Sequence, residues 1–111
     1  MLASRETEPT LVVTVNGKPL PHVVLHSPTG YDWGYGGSGA ADLALSILTH
    51  YLGDRHLAEL LHQEFKWDVV AGLKHRCWVL TGAEIAAWLR ERGIHVGVRD
   101  VVYEGRRRTR E

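Results

Sequence analysis

The stretch from Ser27 to Ala44, which reads SPTGYDWGYGGSGAADLA, constrains the fold more than any other part of this sequence. Five glycines lie among Tyr31, Trp33 and Tyr35, and an amphipathic pattern follows directly. Ordering so many glycines costs conformational entropy, which favours glycine only where the backbone needs its special freedom. We therefore predict a loop of fixed conformation at the N-terminus of a helix.

That first helix is predicted to begin with Ser38 or Gly39 as its N-cap and to end at Gly53. Asp42 lies in its first turn, where a negative charge suits the helix dipole. Leucine and isoleucine then recur at helical spacing and give the helix a broad apolar face.

Two further helices are predicted from capping residues. Asp54 caps a second helix over residues 56–65. Thr81 and Glu84 have the spacing of a capping box, and the segment AEIAAWLRER follows as the third helix. Its core face is predicted to include Trp88.

Segments rich in β-branched and aromatic residues are predicted as strands. They cover residues 11–15, 22–26, 67–73 and 76–80, with 94–103 as an optional fifth strand. Asn16-Gly17 favours a tight hairpin turn after the first strand, because both residues tolerate positive φ. The predicted fold class is α+β, with a small sheet of two hairpin-like strand pairs packed with three helices.

Length and composition indicate one domain. The chain has 111 residues, of which 44% are hydrophobic, enough for a single core. We predict a flexible segment at 1–10, a globular domain at 11–104 and a basic tail at 105–111. Cys77 is the single cysteine, which excludes an intrachain disulfide; it is predicted to be a small core residue. No signal peptide or membrane span is predicted, so we expect a cytoplasmic protein that does not contact a membrane.

The net charge is zero, but it is distributed unevenly. Residues 31–70 contain six acidic and two basic residues, whereas residues 71–111 contain five acidic and nine basic residues. The sums are minus four and plus four. The fold must therefore either pair these halves across itself or present an acidic and a basic face.

Three segments carry a resemblance to a known family. SPTGYDWGYGGSGAADLALSIL, HQEFKWDVVAGL and WVLTGAEIAAWL resemble a family of small uncharacterised proteins from bacteria, phages and plasmids, whose signature is this glycine-rich loop before a helix. The resemblance covers roughly residues 11–92. Proline often stands in the family where this chain has Ala40, which still suits a first helical turn. The resemblance implies a mobile-element setting but no activity.

The glycine loop is the candidate binding site, because glycines let backbone amides approach a ligand and the first helical turn offers unpaired N–H groups. The predicted site residues are Thr29, Tyr31, Asp32, Trp33, Tyr35, Ser38 and Gly39. The loop lacks the lysine of a phosphate-binding P-loop and the dinucleotide fingerprint. The two acidic residues, Asp32 and Asp42, would repel phosphate. In the alternative, structural interpretation, the glycines only make room for aromatic rings that fold back over the helix.

Other chemistries have weaker signals. The arginines Arg106, Arg107, Arg108 and Arg110 are the candidate nucleic-acid contacts. His56, Glu59 and His62 have helical spacing, but a single E-x-x-H pair is insufficient for a metal centre. A small hydrolase using Asp32, Ser38 or the histidines is a third hypothesis, although no nucleophile-elbow pattern is present. We assign no catalytic residue, metal ligand or cofactor.

The leading prediction is a non-enzymatic binding module that contacts a protein partner through the glycine loop. It requires that Trp33 and Tyr35 are at least partly accessible. Nucleic-acid binding is the second hypothesis and an enzyme the third. The sequence does not specify the oligomeric state.

Overall fold

The computed structural model describes residues 11–28 and 30–107, and in these residues three α-helices cover one face of a four-stranded antiparallel sheet. The elements in chain order are β1 (Leu11–Val15), β2 (Lys18–Pro19), α1 (Ser38–Leu52), α2 (Arg55–Asp68), β3 (Cys77–Thr81), α3 (Gly82–Glu91) and β4 (Val102–Arg107). The strand order is β2-β1-β4-β3. The predicted α+β fold class is confirmed.

The turn after β1 has the predicted conformation. Asn16 and Gly17 have φ angles of 50° and 84°, as a primed hairpin turn requires. The Asn16 side chain also accepts a hydrogen bond from the amide of Val102, at 2.9 Å. The hairpin is thereby anchored to β4, the strand that pairs with both β1 and β3.

Alternation along the strands separates the two faces of the sheet. The inward residues are Val13, Val15, Trp78, Leu80, Tyr103 and Gly105, all of them buried. A Cβ atom at Gly105 would lie 2.2 Å from the Trp78 ring. Glycine at this position therefore allows the indole to lie against β4.

The helices complete the core on this inward face. Leu43, Ile47 and Leu48 of α1 are fully buried, and Phe65 of α2 meets Trp88 of α3 edge to face at 4.9 Å between ring centroids. The predicted N-caps of α2 and α3 are present: the Asp54 side chain accepts from the Leu57 amide, and Thr81 with Glu84 forms a capping box. Gly53 and Gly93 both have positive φ at the ends of their helices.

Two predicted strands are wrong. Residues 22–26 form no ladder, because the amides of Leu25 and His26 are hydrogen bonded to the buried Asp42 carboxylate and the amide of Val23 to the Ser46 hydroxyl. Residues 67–73 are not extended either: α2 continues to Asp68 and a 3₁₀ turn follows over Val70–Gly72. The buried positions at the end of α2, Phe65 and Lys66, carry the helix into the start of this segment, and Val70 is buried in the turn that follows, so tertiary packing overrides strand propensity there.

The C-terminal strand lies later than predicted. Residues 94–100 are irregular because they cover the end of α1, where the Arg99 guanidinium donates to the carbonyls of His50 and Tyr51. Cations at this end also favour the helix dipole. The last strand is Val102–Arg107, so Gly105 to Arg107 belong to the sheet and not to a tail. Residues 1–10 and 108–111 lie outside the described part of the chain.

The unevenly distributed charges pair across the fold. Arg92 contacts Asp68 and also lies 3.3 Å from a Glu64 oxygen, and Arg107 reaches Asp32 at 3.3 Å. Each pair joins the acidic half of the sequence to the basic half. Over residues 11–28 and 30–107, no helix is long and apolar enough to cross a membrane.

Candidate functional site

The chain enters α1 through closely packed glycines. The N-cap is Gly37, one residue earlier than predicted, and it makes no side-chain capping bond. A Cβ atom at Gly39 would lie 2.9 Å from the amide nitrogen of Asp32. The glycine loop thus packs directly on the first turn of α1.

Asp42 organises the segment that precedes the glycine loop. Its carboxylate is fully buried and accepts hydrogen bonds from the backbone amides of Leu25, His26 and Ser27 and from Nε2 of His22. Burial opposes its ionisation, but these donors outweigh burial and hold the pKa of Asp42 below its ordinary value. Asp42 is the fifth residue of α1 and lies beyond its first turn, which corrects the predicted position at the start of the helix dipole.

Tyr31 packs beside this cluster. Its ring centroid lies 4.5 Å from that of His22, and its hydroxyl donates to the carbonyl of Leu20 at 3.1 Å. Burial is the main reason that the pKa of Tyr31 rises to about 12. The hydroxyl is therefore a neutral hydrogen-bonding group at neutral pH.

Asp32 connects the loop to the C-terminal strand. One carboxylate oxygen accepts from the Trp33 amide at 2.8 Å and from Arg107 at 3.3 Å, and the other accepts from the Tyr35 hydroxyl at 2.6 Å. The hydrogen bond to Asp32 is also the main cause of a raised pKa for Tyr35. This hydrogen bond restrains Tyr35 although its ring is exposed.

Trp33 lies in the core, and the prediction that it is accessible is wrong. It is only 2% exposed. Its ring meets Trp78 edge to face at 5.6 Å, its Nε1 donates to the carbonyl of His75, and the Arg107 guanidinium lies over its other side at 5.0 Å. Trp33 therefore anchors the loop and does not contact solvent.

A polar cleft of about 200 Å³ lies at the N-terminus of α1. Its lining residues are Ser27, Gly30, Tyr31, Asp32, Tyr35, Ser38 and Gly39. Five predicted site residues lie in this lining, Trp33 lies beneath it in the core, and Thr29 lies outside the described residues. The structure therefore brings most of the predicted set together around one recess.

Trp67 adjoins this region and was not among the predicted site residues. Its indole is 62% exposed, and a Cβ atom at Gly36 would lie 2.2 Å from it. Lys66 lies 4.5 Å from the ring centroid and donates to the carbonyl of Gly36. On the other side, a Cβ atom at Gly37 would lie 2.5 Å from the Tyr35 ring. We call Tyr35, Gly36, Gly37 and Trp67 the aromatic ridge.

The glycines of the ridge thus make room for rings, as the structural interpretation requires, yet both rings remain exposed. Trp67 lies seven residues after Leu60, which is 70% exposed, and on a helix these two positions share one face. The sequence does not indicate this exposure, because residues 67–73 have the composition of a strand.

Comparison with known proteins adds a family. A family model described as "Family of unknown function (DUF6166)" matches residues 2–91, which include the glycine loop and all of α1, α2 and α3. The chain belongs to this family. Strand β4 lies beyond the matched residues. No curated protein and no solved structure matches the chain.

The remaining candidate residues of this DUF6166 protein are scattered. Arg106 and Arg107 follow each other along β4 and so point to opposite faces, while Arg108 and Arg110 lie outside the described residues. Cys77 is exposed, which corrects its predicted core position, because it belongs to the outward register of β3.

The histidines do not converge with Glu59. The Glu59 carboxylate pairs with Arg55 at 2.8 Å, whereas His62 is buried and its Nε2 lies 2.9 Å from Nε2 of His26. Nδ1 of His62 donates to the backbone carbonyl of Glu59. In the part of the chain that the structure describes, no three His, Cys, Asp or Glu side chains are grouped for a metal ion.

Proposed function

We propose that this DUF6166 protein is a non-enzymatic binding module whose protein partner contacts the aromatic ridge. The observation that carries the proposal is the exposure of two large aromatic side chains in fixed positions: Tyr35 is 56% exposed and Trp67 is 62% exposed. Tryptophan and tyrosine are the residues most enriched among those that dominate binding energy at protein interfaces.

The two rings are held before any partner arrives. Tyr35 is fixed by its hydrogen bond to Asp32, and Trp67 lies on Gly36 beside Lys66. Immobilising a flexible side chain at an interface costs roughly 0.5–1.5 kcal/mol. The hydrogen bond to Asp32 and the contact with Gly36 restrict these rings in the free protein, which lowers that cost.

The cleft beside the ridge favours a partner's side chain over a small-molecule ligand. Pockets for drug-sized ligands typically have volumes of about 300–1,000 Å³ and mostly apolar walls. This cleft has about 200 Å³ and is lined by hydroxyl groups, a carboxylate and glycine backbone. It suits one polar side chain of a protein that packs over Tyr35.

A photo-crosslinking experiment tests the proposal. Benzoylphenylalanine replaces Tyr35 or Trp67 in cells that naturally carry the gene, and the crosslinked protein is identified by mass spectrometry. Val98 is the control position, because it is 60% exposed but lies far from the ridge. The neighbouring carbonyl of Gly97 accepts a hydrogen bond from Tyr51, at the opposite end of α1. We expect one protein to crosslink at both ridge positions and not at Val98.

Affinity measurements with that protein complete the test. Trp67→Ala should weaken binding by about 2 kcal/mol, roughly thirtyfold, and Val98→Ala should leave it unchanged. Circular dichroism checks that both variants are folded. Equal crosslinking at all three positions, or a folded Trp67→Ala variant with wild-type affinity, would show that the ridge is not the interface.

The other hypotheses remain predictions with less support. Arg106 and Arg107 point to opposite faces of β4, so these two arginines do not share one surface that could contact a nucleic acid. Both oxygens of Asp32 are already hydrogen bonded, which does not favour it as a catalytic base. A cytoplasmic location and a phage or plasmid setting belong to the proposal as well; a survey of genes beside family members tests the latter.

A further inference from the structure

The outward face of the sheet is open. The helices cover the opposite face, and the outward side chains of β1, β3 and β4 are exposed or half-buried. They are Val12, Thr14, Cys77, Val79, Thr81, Val102, Glu104 and Arg106. Val79 is 57% exposed, and a concavity of about 380 Å³ crosses this face beside it. An antiparallel sheet tolerates one solvated face, but this one carries three valines, Val12, Val79 and Val102, among its eight outward residues.

Strand pairing arranges these side chains in rows. The first row runs Cys77–Arg106–Val12 across β3, β4 and β1. The second row runs Val79–Glu104–Thr14 across the same strands. The arginine and the glutamate therefore occupy the centres of adjacent rows, with small or β-branched side chains on both sides.

This pattern is complementary to itself. A two-fold axis that lies between the rows, parallel to the sheet and perpendicular to its strands, exchanges the rows and keeps each strand opposite its own copy. Arg106 then faces Glu104 of the second copy, and Glu104 faces Arg106. On β3, Val79 faces Cys77 of the second copy. Each charge has an opposite charge and each apolar side chain has a small or apolar neighbour, as an isologous interface requires.

The other in-plane axis gives the opposite result. A two-fold axis parallel to β4 would place Arg106 against Arg106 and Glu104 against Glu104, and like charges opposed across an interface cost several kcal/mol. Of these two arrangements, the charge pattern favours the one in which Glu104 faces Arg106. Sheets packed face to face lie about 10 Å apart, and the open concavity offers room for interdigitating side chains.

We propose that the open sheet face is a homodimer interface in which Glu104 and Arg106 of two copies pair reciprocally. This inference goes beyond the proposed function and uses a different surface from the aromatic ridge. Because β4 lies outside the residues matched by the DUF6166 model, it concerns this chain and is not carried over from the family.

Sedimentation velocity across a concentration series tests the dimer. The wild-type mass should rise from 12.4 kDa toward twice that value. The single charge reversals Glu104→Arg and Arg106→Glu should each weaken self-association roughly tenfold or more. Arg90→Glu, an exposed reversal on α3, should leave it unchanged, and so should Trp67→Ala, which separates this interface from the ridge.

The decisive measurement mixes the two single variants. Glu104→Arg has two arginines in the central row positions and Arg106→Glu has two glutamates, so their mixture should form a heterodimer at least as tight as the wild-type dimer. Recovery on mixing shows that neither variant had lost its fold. A wild-type protein that stays at 12.4 kDa up to about 1 mM overturns the proposal. A mixture that does not associate overturns it equally.

Discussion

Replacing Asp42 with Asn tests the central claim about the candidate site, that a buried carboxylate holds the segment before the glycine loop. The change keeps the size of the side chain but removes its charge and converts one acceptor oxygen into a donor amide. Four N–H groups converge on the carboxylate: the amides of Leu25, His26 and Ser27 and Nε2 of His22. Asn cannot satisfy all of them.

The magnitude follows from the bonds lost. Each oxygen of Asp42 accepts at least two N–H groups, so the amide nitrogen of Asn would face two donors. A hydrogen bond to a charged group contributes about 1.5–3 kcal/mol, so losing two predicts a destabilisation of about 3–6 kcal/mol. That is a large part of the 5–15 kcal/mol typical of a whole domain. For a chain of this size, Tm should fall by roughly 12 °C or more.

Urea denaturation followed by circular dichroism measures this difference. Asp54→Asn is the matched control, because Asp54 is exposed and caps α2 through one bond that Asn also makes. The control should change the free energy of unfolding by less than about 0.5 kcal/mol. An Asp42→Asn protein within about 1 kcal/mol of wild type would refute the account of the carboxylate.

The pH dependence offers an independent check of the same residue. The folded pKa of Asp42 lies below its ordinary value of 3.8, so the unfolded state takes up the proton first as the pH falls. The stabilisation is therefore present above pH 3.8 and is lost progressively below it. Asp42→Asn removes this component, so the stability of wild type and variant should converge in acid. Parallel curves would contradict the assignment.

Three further perturbations test other parts of the structure. Gly105→Ala should lower the free energy of unfolding by about 1–3 kcal/mol or more, since its Cβ atom would lie 2.2 Å from the buried Trp78 ring. Gly97→Ala is the control: its Cβ atom would meet nothing within 4 Å, so it should be neutral in the same denaturation assay. Thr81→Ala should cost about 1 kcal/mol by removing a helix cap, with Tm as the readout. In an absorbance titration the Tyr31 hydroxyl should ionise near pH 12. Because the hydroxyl ionises near pH 10 in the unfolded state, the stabilisation that the neutral hydroxyl gives the folded protein should be lost as the pH rises above 10.

The elements that the sequence predicts correctly are those defined by neighbouring residues. The hairpin turn at Asn16, the cap at Asp54 and the capping box at Thr81 each involve groups within three residues of one another. Such interactions are encoded locally and transfer from sequence to structure.

The errors share a different cause. Residues 22–26 have strand composition, but the amides of Leu25 and His26 donate to the Asp42 carboxylate, 17 and 16 positions later in the chain. Trp33 lies in a glycine-rich segment typical of an exposed loop, but the Arg107 guanidinium lies over one side of its ring and Trp78 packs against it edge to face. Nothing near these residues in the sequence indicates those partners, so propensity alone gave the wrong environment.

The position of β4 shows how far the candidate site depends on such distant partners. Strands β1 and β3 each pair with β4 and not with each other, so this strand, which lies outside the family match, holds the sheet together. Its last residue, Arg107, donates to Asp32, and Asp32 in turn fixes the Tyr35 hydroxyl. The orientation of an exposed ring in the glycine loop is therefore set from the opposite end of the chain. Replacing Arg107 by an uncharged residue should therefore weaken the Asp32 contact that positions Tyr35, although the sequence of the glycine loop is unchanged.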